Sequence, residues 1–291
     1  MGKRRSSQRL GTQVHPHTII FSLYGQHVLP RGGEIWIGSL IRALAALDFS
    51  PGAVRALVSR MQRKGLLQSQ RVGRRSFYRL TGLGLEDVHR GGNRAFIPPD
   101  DEWDGHWTVV TYSVPEERRE RRDALRSALK CWRFGALAPG TWISPHPLPP
   151  EAEGKWREIG VWEHLEVFRA EHLGPSDPRA LVSHAWPQLA ALGDRYRVYV
   201  AEYEPVLRHF EAGTLDDEDC FAARLRSLID FVTINLEDQA LPFSLLPDDW
   251  PCSPARLLFK ELQHALTGPA ERFFDAIYQT KGETDDKRTQ S

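Results

Sequence analysis

An α+β fold in three parts is predicted by three observations. A short basic helix between Ser50 and Gly65 is followed at once by a basic β-hairpin ending at Leu80. Strand and helix signals alternate from Trp107 to Arg169, as in a small ferredoxin-like domain. From Ala180 to Gln279 the helical period dominates. The chain has 291 residues, enough for two or three domains. The expected parts are a DNA-binding module at 1–96, a central ferredoxin-like domain at 97–175 and a helical domain at 176–280. Residues 1–15 read as a flexible basic arm and 281–291 as a polar, disordered tail.

The first part is organised around its basic helix. Ser50 is a good N-cap and Pro51 occupies the first turn, where a proline is tolerated. Val54, Leu57, Val58 and Met61 follow the i, i+3, i+4, i+7 rule and form one apolar stripe, and Gly65 ends the helix. The opposite face carries Arg55, Ser59, Arg60, Gln62 and Arg63. Two strand-like segments follow, Leu66 to Val72 and Ser76 to Leu80, around a Gly73-Arg74-Arg75 tip. Ahead of them the pattern predicts a helix over His17–Leu29, broken at Pro30–Gly33, then a short strand at Glu34–Ile37 and a helix over Ser39–Leu47. His27 falls on the apolar face of the first helix and reads as a packed or half-exposed side chain without a function. Thr81 to Arg94 reads as a further helix. The order is that of a winged helix-turn-helix.

That order assigns chemistry. The major groove admits one helix, and Arg and Ser side chains suit its base edges. Ser50, Arg55, Ser59 and Arg60 are the candidate base readers. Arg63, Arg71, Arg74, Arg75 and Arg79 are the candidate phosphate contacts. The bland alternative is a core-packing helix with a solvated basic face beside an ordinary hairpin.

Charge distribution favours the first reading. The net charge is zero, but residues 1–96 hold 16 of the 38 basic residues and 4 of the 38 acidic ones, a net of +12, leaving −12 on the remainder. Such asymmetry points to a nucleic-acid-binding module joined to a different one. Hydrophobic content of 41% and charged content of 26% are ordinary for a soluble globular protein. No apolar run approaches the length of a membrane span, and the basic N-terminus lacks the apolar core of a signal peptide. Cys131, Cys220 and Cys252 are odd in number and far apart, which suggests reduced thiols and a cytoplasmic protein.

In the central part, Trp107–Val114 reads as a strand, Glu116–Trp132 as an amphipathic helix with Leu125, Ala128 and Leu129 inward, and Thr141–Ser144 as a second strand. Glu151–Gly160 reads as helical, and Gly160–Arg169 begins as a strand. In the last part the expected helices are Ala180–Leu192, Arg195–Ala212, Cys220–Leu236, Pro254–Leu266 and Pro269–Gln279. The run Asp216-Asp217-Glu218-Asp219 fits N-terminal charge complementing a helix dipole. His164, His172 and His184 lack metal-ligand spacing, so no metal site is expected. There is no GxSxG and no GKS/T, so no enzyme is expected.

In the segments Gly33-Glu34-Ile35-Trp36-Ile37-Gly38-Ser39-Leu40-Ile41, Val54-Arg55 and Arg60-Met61, and Gly73-Arg74-Arg75-Ser76-Phe77-Tyr78-Arg79-Leu80, the sequence resembles the PaaX family, bacterial repressors of phenylacetate-degradation operons. Further on come Trp103-Asp104-Gly105-His106-Trp107 and Phe134-Gly135-Ala136-Leu137-Ala138-Pro139-Gly140-Thr141-Trp142. Near the end come Leu241-Pro242 and Leu245-Leu246-Pro247-Asp248-Asp249-Trp250. The resemblance implies a central domain similar to Cas2 proteins and a repressor of an aromatic-acid catabolic operon. It also implies release from double-stranded operator DNA by phenylacetyl-CoA or another acyl-CoA, with no resident cofactor. A homodimer is expected, because one winged helix covers too few base pairs for operator specificity. For the effector, Arg118, Arg119, Arg121 and Arg122 are candidate phosphate partners and Trp142 a candidate for the aromatic acyl group; a solvated helix face is the other reading of those arginines. The chain departs from the family at 229–239, where Ile229-Asp230-Phe231-Val232-Thr233-Ile234-Asn235-Leu236-Glu237-Asp238-Gln239 replaces a His- and Arg-rich helix, and this puts the acyl group in doubt. A Cas2-like metal-dependent nuclease is the alternative function. It needs a carboxylate at the end of the first central strand, where this chain has Tyr112-Ser113-Val114.

Overall fold

The computed structural model describes residues 16–96 and 103–280. The expected basic arm, residues 97–102 of the interdomain stretch and the expected tail lie outside the described residues. Two compact units are present. One draws on residues up to Phe96, on Arg195–Leu236 and on residues from Cys252 onward; the other comprises Ile97–Asp194 and Glu237–Pro251. Residues of the segment 176–280 are thus divided between them.

The first unit begins with α1 (Pro16–Leu23), which runs on through a π-helical turn (Tyr24–Val28) and a 3-10 turn (Leu29–Arg31). Gly32 and Gly33 follow with positive φ, a conformation that costs glycine little and ends the helix. Next come β1 (Glu34–Trp36), α2 (Ile37–Ala45), α3 (Pro51–Arg63), β2 (Leu67–Val72), β3 (Arg75–Leu80) and α4 (Gly82–Ala95). The three strands form an antiparallel sheet in the order β1-β3-β2. Leu67 pairs with Leu80 and Val72 with Arg75, so only Gly73 and Arg74 make the turn.

In the second unit, β4 (His106–Tyr112), α5 (Arg119–Cys131), β5 (Gly135–Ala138), β6 (Thr141–Ser144), α6 (Ala152–Ile159) and β7 (Leu165–Glu171) follow one another. The sheet is antiparallel with the order β5-β6-β4-β7. This is the βαββαβ arrangement expected, with one strand more than the sequence reading placed. β5 is a four-residue stretch of Gly, Ala and Leu, poor in β-branched residues, and a bulge interrupts its pairing with β6. Val110, Leu125, Leu129, Trp142 and the fully buried Trp156 fill the core between sheet and helices.

The helices that follow are α7 (Pro178–Ala185), α8 (Leu189–Glu211), α9 (Asp217–Glu237), α10 (Cys252–Ala265) and α11 (Thr267–Ile277). The sequence reading put a boundary near Gly193-Asp194. The break lies instead at Trp186–Gln188, where Pro187 has no N–H to donate. Gly193 is helical, and a Cβ there would stand 2.9 Å from Trp250 Cζ3, so packing explains this glycine. Asp216 Oδ1 accepts from Asp219 N at 2.8 Å, and Asp217, Glu218 and Asp219 lie in the first turn of α9, as the dipole argument requires.

Helices α9 and α11 complete the core of the first unit. Phe221, Leu225, Ile229, Phe274 and Ile277 share one apolar cluster with Ile20, Leu23, Leu40, Leu44 and Val54. Polar bonds reinforce it. Tyr278 Oη donates to the carbonyls of Arg31 and Glu34 at 3.0 and 2.7 Å, and Trp36 N donates to Gln279 O at 3.2 Å. Arg31 pairs with Glu271 and Asp275.

Candidate functional site

The face of α3 is built by its caps and its stripe. Ser50 has an extended backbone, and its Oγ accepts from Ala53 N at 3.2 Å, a cap that contributes about 1 kcal/mol. Val54, Leu57, Val58 and Met61 are buried, each contributing roughly 1.5–3 kcal/mol by leaving water. That burial forces Arg55, Ser59, Arg60 and Arg63 outward, and all four are exposed. Gly65 has φ +70°, and Leu66 N returns to Met61 O at 2.9 Å, closing the helix and starting the hairpin. Gln62 Nε2 donates to Ser69 Oγ at 3.0 Å and ties the helix to β2. Thr81 Oγ1 caps α4 through Gly84 N and donates to Gly65 O at 2.6 Å. Gly84 is required there, since a Cβ would lie 2.3 Å from Leu66 O.

The hairpin arginines differ in how they are held. Arg71 is exposed, and its Nε donates to Gly73 O at 3.1 Å across the turn. Arg74 is exposed at the tip. Arg75 is half-buried; its guanidinium lies over Trp36 at 4.8 Å from the ring centroid and donates to Gln279 Oε1 at 3.1 Å. Arg79 is exposed on β3 opposite Glu34 of β1. Between Asp48 and Glu86 the chain contains no carboxylate and eight basic residues. The structure therefore brings Arg55, Ser59, Arg60, Arg63, Arg71 and Arg74 onto one exposed helix-and-hairpin element, with Ser50 at its entry.

The central arginines are held locally. Arg118 Nη1 is 2.8 Å from His164 Nε2, and Arg121 Nη1 donates to Gly160 O at 3.3 Å. Arg119 lies 3.9 Å from Asp123. Arg122 pairs with Glu116 at 2.6 Å, and that hydrogen bond holds the Glu116 carboxyl below the usual range. Trp142 is buried in the core of the second unit. At the end of β4, Tyr112 Oη accepts from Arg126 Nε at 2.9 Å, and Ser113 N donates to His164 O. Among the described residues no three His, Cys, Asp or Glu side chains gather as a metal would need, and no helix is long and apolar enough to cross a membrane.

Sequence reasoning missed one feature altogether. The first unit contains a cavity of about 670 Å³, walled by α1, its π-helical turn, α4, α9 and α10. Phe21, Phe96, Val232 and Phe259 line it together with Arg224 and Gln263. Its walls come from segments more than a hundred residues apart, and no local periodicity links them.

Comparison with known proteins agrees along the chain. Residues 15–84 match the PaaX-like protein family, residues 100–182 the PaaX protein central Cas2-like domain, and residues 186–276 the PaaX-like protein C-terminal domain. The chain is 30% identical to the Transcriptional repressor PaaX of Escherichia coli (strain K12) over 273 residues, 92% of this chain and 84% of that protein. In fold it is similar to the Uncharacterized protein Rv0674 from Mycobacterium tuberculosis, with a TM-score of 0.61 at 21% identity, covering 91% of this chain and 99% of that one. With three matches in chain order and identity sustained over nearly the whole length, the chain belongs to the PaaX family.

Proposed function

We propose that the protein is a sequence-specific DNA-binding transcriptional repressor of an aromatic-acid catabolic operon, released from its operator by an aryl- or acyl-CoA such as phenylacetyl-CoA. Similarity to a transcriptional repressor over 92% of the chain supports the repressor role. The observation that carries the DNA-binding part is the exposed basic face of α3 beside an arginine-tipped hairpin. In this reading residues 16–96 are a winged helix-turn-helix, with α3 as recognition helix and β2–β3 as wing. Arg55, Ser59 and Arg60 read base edges, and Arg63, Arg71 and Arg74 hold phosphates. Arg75, packed on Trp36, braces the wing beside its tip. Two protomers on a pseudo-palindrome give the footprint that one module lacks.

The test is selection from random duplexes with the full chain, then anisotropy titration of the selected site against phenylacetyl-CoA, benzoyl-CoA, a short-chain acyl-CoA and free phenylacetate. Enrichment of a two-fold motif and release by a thioester are expected. Failure to enrich any motif would overturn the repressor reading, and release by the free acid alone would overturn the coenzyme A part.

A further inference from the structure

We infer that the cavity in the first unit is a binding site for a small aryl or branched acyl group, with Arg224 in its wall, and that occupancy of this site is what loosens the hold on DNA. The inference rests on the effector reading above and gives it a location. The volume, about 670 Å³, is that of a site for a small organic molecule. It accommodates an acyl group and the start of a thioester arm.

The walls specify the chemistry. Phe21 and Phe96 face the space with Phe259. Phe96 is 44% exposed although its ring stacks on Phe259 at 5.8 Å, so this aromatic surface lies open. Phe259 is itself stacked on Phe231 at 4.1 Å with rings 5° from parallel, which makes that wall rigid. Two arginines line the space together with Asp87: Arg90, exposed and 3.4 Å from that carboxylate, and the more deeply buried Arg224. The Arg224 side chain is 12% exposed; its Nε donates to Gln263 O at 3.3 Å, and Gln263 Nε2 donates back to Arg224 O at 3.0 Å. Its Nη1 lies 3.8 Å from Glu271 and makes no hydrogen bond. Burial opposes its charge and Glu271 offsets only part of that. The unpaired Nη1 is sealed from solvent on the Glu271 side, so Arg224 contributes positive potential, not a presented donor, to an apolar, ring-lined space that suits an aromatic ligand with a carboxylate or thioester oxygen.

Two glycines point the same way. Gly91 and Gly92 lie inside α4 and line the cavity, and a Cβ at either would meet nothing within 4 Å. Neither has a positive φ, so the backbone does not require glycine. Each costs the helix about 1 kcal/mol relative to alanine. Their shared effect is to keep space open.

The position explains the switch. α1 and α4 belong to the proposed DNA-binding module, whereas α9 and α10 come from the far end of the chain. A ligand held between them acts directly on that module. Linkage requires that it bind the free form better than the DNA-bound form.

The test uses the full chain. Phenylacetyl-CoA, phenylacetate and hexanoyl-CoA are titrated calorimetrically into the wild type, Gly92→Phe, Val232→Trp, Arg224→Met and the double variant Arg121→Ala/Arg122→Ala. Gly92→Phe adds a ring without a backbone clash and favours the helix; Val232→Trp fills the opposite wall. Each should weaken binding at least about tenfold, while the central double variant stays within about twofold. Arg224→Met should weaken the free acid more than the thioester if the carboxylate is the group it meets. Affinity unchanged in both filled variants would overturn the inference, as would loss confined to the double variant or no binding of any probe to the wild type at about 1 mM. Binding abolished by Gly92→Phe, with operator complexes untouched by the ligand, would establish the cavity as a binding site and overturn both its switching role and the effector reading.

Discussion

His27 offers a measurable test of how the first unit is joined. It lies in the π-helical turn, fully buried, with its ring stacked on Phe274 at 4.8 Å and tilted against Phe221 at 5.1 Å. Glu271 Oε1 is 3.1 Å from Nδ1, yet this carboxylate is already engaged by Arg31 and lies 3.8 Å from Arg224. Burial, with Arg224 and Arg31 alongside, pushes the histidine pKa from 6.5 down to about 3. The unfolded chain therefore binds a proton below 6.5 that the native ring refuses until about 3. Stability from this group is full above that upper value and is lost as pH falls through the window. At about 1.4 kcal/mol per pH unit, the loss between roughly pH 7 and pH 5 is about 2 kcal/mol, and any native value below about 4 gives the same figure. His27→Phe keeps the stacking and removes the titration. Urea unfolding followed by circular dichroism at about pH 7, 6 and 5 should give stabilities of the two proteins that diverge by that amount, with the wild type falling faster. Asp230 and Glu202, whose pKa values burial raises, are present in both proteins and cancel in the difference. Parallel pH profiles would show that the ring is not held neutral, and would refute the account of the joint.

Further outcomes are expected. Arg74→Ala should weaken binding to all duplexes and lower the salt slope by about 0.9 per lost phosphate contact, whereas Arg55→Ala should relax preference at one position by roughly 1–3 kcal/mol; indistinguishable selection profiles would reject the helix and wing roles. Trp36→Ala should free Arg75 and weaken DNA binding about fivefold through a looser wing, read by anisotropy, with hydrogen exchange rising in β2 and β3. Phe231→Ala should cost about 3–5 kcal/mol in urea unfolding, since it removes a buried ring stacked on Phe259. The protein should be dimeric on its operator by native mass measurement, and plasmid incubated with it and Mg²⁺ or Mn²⁺ should stay supercoiled; nicking would revive the nuclease alternative.

What was legible in the sequence was what local physics decides. The α3 stripe, its Ser50 cap and its Gly65 stop follow from neighbours a few residues apart and fix which helix arginines face outward, and the hairpin is equally local, although its turn is Gly73-Arg74 and Arg75 belongs to β3. The acidic run before α9 was equally local. Two element errors have local causes of another kind. β5 was missed because Gly-Ala-Leu-Ala lacks strand-forming residues and is held by pairing with β6. The α8 boundary was misplaced because Gly193 reads as a breaker when it is a packing glycine against Trp250. Arg75 was read as a phosphate contact from its place at the tip, and its tie to Trp36 and Gln279 depends on residues far along the chain. The cavity and the Arg224–Glu271–His27 group are assembled from both ends of the sequence, and composition could not announce them.

The way the two ends meet also accounts for a resemblance that spans the chain and not just its first ninety-six residues. The left-handed turn at Asp48 aims α3, and Arg226 of α9 holds that turn through Ala46 O at 3.1 Å and Asp48 Oδ2 at 2.9 Å. Asp48 has φ +67°, a conformation Asp tolerates best when its side chain and the adjacent carbonyl are engaged. One turn along the helix from Arg226 comes Asp230, which accepts from Tyr203 Oη at 2.6 Å. Phe231, its neighbour, is in the aromatic wall behind the cavity. Arg224 and Val232 line the cavity from the same helix. A single helix thus carries cavity-lining side chains and the clamp on the turn before α3. Most of the segment 229–239, where the sequence reading expects a departure from the family, falls on this same helix, which ends at Glu237, so substitutions there would bear on the cavity wall and the turn clamp together.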